Sequence, residues 1–162
     1  MATAAASVPA KIDRLDRRIS AFMRRWATPS LRVSLAILFI WFGVLKPLGL
    51  SPAAPLVRAT VEWMPLFSPD HWVAIIGWWE VAIGLTFLGR RTSRIAIVLL
   101  AGQMIGAFLP LVLLPAVTFQ PGHWPYAPTL EGQYIVKNLL IIAAALVLGG
   151  RVRQGDGIAS SS

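Results

Sequence analysis

Four long apolar runs, residues 31–45, 72–88, 95–114 and 138–148, constrain this chain more than any motif in it. The hydrocarbon core of a bilayer is about 30 Å thick, and a helix needs roughly 20 mostly apolar residues to cross it. In lipid every backbone N–H and C=O must be paired within the protein, so runs of this length read as helices. Two of the four reach that length only when flanking polar residues are drawn in. With 162 residues the chain has room for four spans and no more. A greasy soluble bundle fits the composition poorly. The chain is 56% hydrophobic and 14% charged, whereas soluble domains carry about 25% charged residues.

The net charge of +8 is distributed in a way that orients the chain rather than marking a nucleic-acid binder. Lys11, Arg14, Arg17, Arg18, Arg24, Arg25 and Arg32 precede or open the first run. Arg90, Arg91 and Arg94 sit in the link between the second and third, and Arg151 and Arg153 follow the fourth. If four helices alternate, these twelve of the fifteen basic residues share one side. Basic residues concentrate on the cytoplasmic side of membrane proteins. The expectation is a bacterial inner-membrane protein with cytoplasmic termini and with the loops 47–71 and 115–129 facing outward.

The expected fold is therefore all-α: an integral membrane four-helix bundle with two additions. The first is an N-terminal cytoplasmic amphipathic helix. Ile12, Leu15, Ile19, Phe22, Met23 and Trp26 recur every three or four residues with basic residues opposite, the pattern of a helix lying against anionic lipid. The second is a short outer interfacial helix, with Ser51 as its cap, Pro52 at its first position and its end near Met64. Arg58 and Glu62 stand four apart on it and are expected to pair on the surface. The boundaries follow: a tail and amphipathic helix over 1–28, the bundle over 29–151, and a disordered tail over 152–162.

Chemistry-bearing motifs are few. The chain has no cysteine, which excludes disulfides, thiol relays and thiolate clusters. His71 and His123 both lie in outward loops and both precede a tryptophan, which suits an interfacial aromatic belt better than a metal site. No phosphate loop, dinucleotide fingerprint or serine-nucleophile elbow is present, and no catalytic residue is assigned. Gly102 and Gly106 share one face of the third span and are expected to let a neighbouring helix approach closely. Pro110 is expected to kink that span.

The polar residues inside the spans are the main functional signal. At 1.5 Å rise per residue, Glu80 and Gln103 both lie about 12 Å from the cytoplasmic end of their segments, near mid-membrane, and Lys46 lies at about 22 Å. On the fourth span Glu131, Tyr134, Lys137 and Asn138 fall within an arc of about 120°. Charges at such depth turn inward and pair. Lys46, Glu80, Gln103, Glu131, Tyr134, Lys137 and Asn138 are therefore expected to line one buried polar pocket open toward the outer surface. Glu80 would pair with Lys46 or Lys137.

The segments "LFIWFGVLKPLGLSPAAPLVRATV", "GWWEVAIGLTFLGR" and "TLEGQYIVKNLLIIAAALVLGG" resemble the DoxX-like family of small bacterial membrane proteins. The likeness runs from about residue 31 to residue 151, and "TLEGQYIVKN" is its most specific part. The resemblance implies a four-helix bundle with both ends cytoplasmic. The family takes its name from a subunit of a thiosulfate:quinone oxidoreductase, and other members are associated with oxidative-stress complexes; most have no assigned reaction. Two functions are expected, the first from the resemblance and the second from the buried polar pocket. One is a non-catalytic or quinone-contacting subunit supporting redox or stress-response partners. The other is a small transporter or proton-coupled protein that titrates Glu80 in its polar pocket. Quinone is the one cofactor this admits. The expected partners are the bilayer, redox proteins of the membrane or cytoplasm and a second copy of the chain, with nucleic acid excluded.

Overall fold

The computed structural model describes residues 10–159, which form helices joined by loops. The β structure among them is one isolated bridge between Phe119 and Pro128. The helices are α1 (Ala10–Leu45), α2 (Ala54–Val61), α3 (Pro69–Leu88), α4 (Ser93–Leu113), α5 (Pro115–Thr118), α6 (Leu130–Val136) and α7 (Asn138–Ala159). Among the described residues, four stretches are long and apolar enough to cross a membrane: Ile12–Leu45, Pro69–Leu88, Ser93–Leu113 and Leu130–Gly150. Their side chains point outward as lipid-facing helices require. Val98, Ile105, Val112 and Leu140 are each more than 70% exposed in the isolated chain.

The first expectation to change is the boundary at residue 28. α1 is a single helix of 36 residues that runs through Pro29 without a break. At 1.5 Å per residue it is about 54 Å long, well over the thickness of a bilayer core. A proline inside a helix removes one backbone bond, here to the carbonyl of Arg25, and the turns on either side can hold the helix across that gap. Ile12, Leu15, Ile19, Phe22, Met23 and Trp26 do form one apolar stripe, and all are about half exposed or more. Asp13 and Arg17, one turn apart, pair on that segment. At the other end α7 runs to Ala159, so residues 152–159, expected as a disordered tail, carry helical backbone with no proline to stop it. Residues 1–9 and 160–162 of the expected tails lie outside the described residues.

The outer helix is also shorter than expected. α2 begins at Ala54 with Ala53 as its N-cap residue and Pro55 in its first turn, and it ends at Val61. Ser51 lies one turn upstream, where its carbonyl accepts from the Ala54 N–H at 3.1 Å instead of its hydroxyl capping the helix. The fourth span is two helices, α6 and α7, joined at Lys137, whose N–H still reaches the Gln133 carbonyl at 3.0 Å. Thr129 caps α6: its hydroxyl accepts from the Gly132 N–H at 3.3 Å and donates to the Val117 carbonyl at 2.7 Å. Between α3 and α4 a tight turn is held by hydroxyls. Thr92 Oγ1 donates to the Thr86 carbonyl at 2.7 Å, and Ser93, fully buried, donates to the Gly89 carbonyl at 3.0 Å.

The packed core occupies one half of the bundle. Leu35, Ala36 and Phe39 of α1 meet Ile83 and Phe87 of α3, Ala96, Leu100 and Met104 of α4, and Ala145 and Leu148 of α7. The closest helix pair is α1 with α3, and glycine permits it. A Cβ added to Gly77 would lie 2.7 Å from the Gly43 carbonyl oxygen, one on Gly43 would lie 2.7 Å from the Gly77 oxygen, and one on Gly84 would lie 2.9 Å from the Ala36 oxygen. The two backbones touch, and no side chain fits between them. In the half of the bundle nearer α2, the packed core gives way to a cavity.

Candidate functional site

Lys46 follows the last residue of α1, in a turn closed by Gly49 at φ +71°, a conformation suited to glycine. The backbone contact at Gly43 and Gly77 sets Lys46 against α3. A Cβ on Gly77 would lie 2.7 Å from the Lys46 Cβ. One turn further along α3, Glu80 receives the lysine: Lys46 Nζ donates to Glu80 Oε2 at 2.5 Å. From α4, Gln103 Nε2 donates to Glu80 Oε1 at 2.9 Å. Both carboxylate oxygens are thus engaged, one by a donor from the turn after α1 and one by a donor from α4. The Lys46 and Glu80 side chains are only 7% and 12% exposed. Glu80 is eight residues from the end of α3, about 12 Å along the axis and near the middle of a bilayer core. The pair carries no net charge, the form in which a buried ion pair is tolerated at that depth.

This triad forms the floor of an open cavity of about 540 Å³ bordered by α2, α3, α4 and α6. Leu56, Val57 and Val61 of α2 roof it, and Trp72 and Trp79 of α3 form one wall. Thr60 also faces it, but its hydroxyl donates to the Leu56 carbonyl at 2.7 Å and brings no free proton. The rest of the lining is apolar apart from the Trp72 indole N–H, which is buried without a partner, and Lys46 and Glu80 are the only ionisable residues in it. A mostly apolar space with a few convergent polar groups is the usual form of a small-molecule site. A smaller hollow of about 280 Å³, lined by Pro115, Phe119, Trp124 and their neighbours on one loop, has no charged side chain.

The structure brings together three of the seven expected pocket residues and separates the other four. Lys137 lies over the Tyr134 ring, 4.9 Å from its centroid, and does not reach Glu80. Glu131, Tyr134 and Lys137 are exposed and Asn138 is half-buried; Ile135 is the α6 residue that faces the cavity. Glu131, Tyr134 and Lys137 do share an exposed side of the fourth span, but that side points away from the other helices. Periodicity groups residues on a face without saying which way the face turns. Arg58 does not pair with Glu62: Arg58 Nε donates to Asp70 Oδ1 at 2.5 Å, tying α2 to the first turn of α3. Asp70 could have been found from its place behind Ser68 and Pro69, where a carboxylate favours a helix N-terminus.

Gly102 and Gly106 do not mark a close helix contact either. A Cβ on Gly106 would meet nothing within 4 Å, and one on Gly102 only Trp79 Cζ2 at 3.6 Å. Both glycines line the cavity instead. The two histidines lie apart: His71, expected in a loop, is in the first turn of α3 with Ser68 Oγ 2.6 Å from its Nδ1, and His123 lies in the loop before α6 with the Pro121 carbonyl 2.8 Å from its Nδ1. Among the described residues, no three His, Asp or Glu side chains gather as a metal site. Compared with family models, curated proteins and solved structures, the chain matches none of them.

Proposed function

We propose that this chain is a non-catalytic subunit of a bacterial cytoplasmic membrane that holds a quinone-type head group against Lys46 and Gln103 and supports redox or stress-response partners. The observation that carries the reading is the donor set at the cavity floor. A lysine ammonium has three protons and a glutamine amide two. Glu80 takes one from each, which leaves two on Lys46 and one on Gln103 for a ligand. A quinone ring presents two carbonyl acceptors and otherwise apolar faces, which match these donors and the indoles of Trp72 and Trp79. When bound, a quinone would supply two-electron redox chemistry to a partner; the residues of this chain bind and orient it. The likeness of three segments to DoxX-like proteins supports the same reading. Proton-coupled transport is less well supported, because the cavity lining offers no third ionisable residue to relay a proton beyond the Lys46–Glu80 pair. The basic residues favour cytoplasmic termini and a cytoplasmic turn at Arg90 and Arg91.

The test is tryptophan fluorescence of the purified protein in nanodiscs, titrated with a tail-less benzoquinone. Saturable quenching is expected. Gln103→Leu leaves the Lys46–Glu80 pair in place and should weaken the ligand about tenfold, the equivalent of roughly 1.4 kcal/mol for one lost hydrogen bond. Linear quenching that no cavity substitution alters would remove the head-group site.

A further inference from the structure

We infer that the ligand of this cavity carries a long apolar tail that leaves sideways between α3 and α4, through a groove made by Gly102 and Gly106. The inference rests on the head-group reading above and adds the class of molecule and its route of access.

Gly102 and Gly106 are four residues apart and therefore share a face of α4. Glycine weakens a helix interior, so a helical glycine calls for a reason. At Gly43, Gly77 and Gly84 the reason is a neighbouring backbone within 3 Å of the missing Cβ. At Gly106 nothing lies within 4 Å, and at Gly102 the nearest atom is in ordinary contact distance. The absent side chains make room for no other part of the protein. They leave an open gap, and that gap is continuous with the cavity whose floor is Lys46, Glu80 and Gln103.

The gap opens onto lipid. Both glycines are exposed on the outer surface of the bundle, next to Ile105 at 72% exposure. Gly102 is nine residues from the start of α4, about 14 Å along the axis and close to mid-membrane. The opposite side of the gap is fixed: Trp79 stands 42% exposed, and its Nε1 donates to the Leu99 carbonyl of α4 at 3.1 Å, which holds the indole in place as a wall. Toward the α2 end the cavity is lined by the apolar side chains of Leu56, Val57 and Val61. A molecule therefore reaches the polar floor from hydrocarbon, head first, with its chain trailing through the glycine gap. The floor has one ammonium and one carboxylate already paired, so it supplies no surplus positive charge for a phosphate. A neutral, carbonyl-bearing head on a long apolar chain fits it better than a phospholipid.

The experiment titrates the full-length protein in nanodiscs with two quinones that share a head group, one without a tail and one with a prenyl tail, and repeats both with Gly106→Leu. The open space at residue 106 accommodates the leucine, and an unchanged melting temperature confirms the fold. The expected result is that Gly106→Leu weakens the tailed quinone at least tenfold and leaves the tail-less one within twofold. Equal binding of the tailed quinone by both proteins overturns the lateral route while leaving the head-group site standing. Equal weakening of both ligands also overturns it, since the glycine would then serve the head site. Displacement of the tailed quinone by a matched increase in phospholipid overturns the assignment of the tail to a quinone. Failure of the tail-less quinone to bind the unsubstituted protein overturns the head-group reading and this inference with it.

Discussion

Removing the Glu80 carboxylate separates two lysines that the sequence alone treats alike. In the structure Glu80 accepts from Lys46 and Gln103, and the Lys46 side chain is 7% exposed. Glu80→Gln would leave the Lys46 ammonium nearly buried without its counter-charge. Breaking a buried pair in a soluble protein costs about 3–5 kcal/mol. In a bilayer the unfolded reference state also finds partners, and single interhelical hydrogen bonds there average about 0.6 kcal/mol with a maximum near 1.7. An ion pair with two donors on one carboxylate should fall between these, at about 2 kcal/mol for Glu80→Gln. Lys46→Met alone should cost a similar amount, and adding it to Glu80→Gln should recover at least about 1 kcal/mol, because the stranded ammonium is then gone. Lys137→Met is the control. Lys137 is exposed and rests on Tyr134, so its cost should add to that of Glu80→Gln within about 0.5 kcal/mol. The assay is reversible unfolding in bicelles, run as two double-mutant cycles. Additivity for Lys46, or coupling for Lys137, would refute the placement of the pair.

The glycines should divide by position. Gly77→Ala puts a methyl 2.7 Å from the Gly43 carbonyl and should destabilise by about 1–3 kcal/mol, whereas Gly106→Ala meets open space and should be neutral or stabilising by up to about 1 kcal/mol; thermal unfolding of both variants compares them directly. Topology reporters fused after Arg153 and between Arg90 and Arg94 should score cytoplasmic, and one near Gly122 external. A cytoplasmic Gly122 would contradict the charge-based orientation.

The four spans were legible because hydrocarbon thickness sets their length and composition sets their polarity, and neither depends on how the helices pack. At the α1–α3 contact Gly77 and Gly84 stand seven apart on one face, a spacing that marks a close-packed helix without naming its partner. What the sequence could not give was rotation. Glu131, Tyr134 and Lys137 share an arc, and so do Gly102 and Gly106, yet the first arc faces outward and the second borders a cavity rather than a helix. In membranes both polar and small residues are read as inward signals, but a helix has only one orientation about its axis. On α6 that orientation turns Ile135 inward. Near the end of a span a charge can also reach the polar interface by extending its side chain, so Lys137 carries less information about packing than Glu80 does. Arg58 was misassigned for a related reason: an i, i+4 partner is always available on paper, while Asp70 comes close only once α2 folds back on α3.

The position of the ion pair argues for use rather than stability. Replacing a buried pair with well-packed apolar residues is often neutral or favourable, so Lys46 and Glu80 are weak candidates for mere scaffolding. Nor do they fill space, because the cavity begins where they end. The α1–α3 backbone contact at Gly43 and Gly77 holds Lys46 in register with Glu80, and Gln103 occupies the second carboxylate oxygen. Each carboxylate oxygen of Glu80 takes one donor, and the unspent groups at the floor are protons on Lys46 and Gln103 together with the Gln103 carbonyl oxygen. An amphiphile that brings acceptors meets a preformed set. One that brings donors finds only the remaining lone pairs of Glu80 and the Gln103 carbonyl. The polarity of the site thus follows from the arrangement of three side chains, with three donor protons on Lys46 and Gln103 left to meet a carbonyl-bearing head.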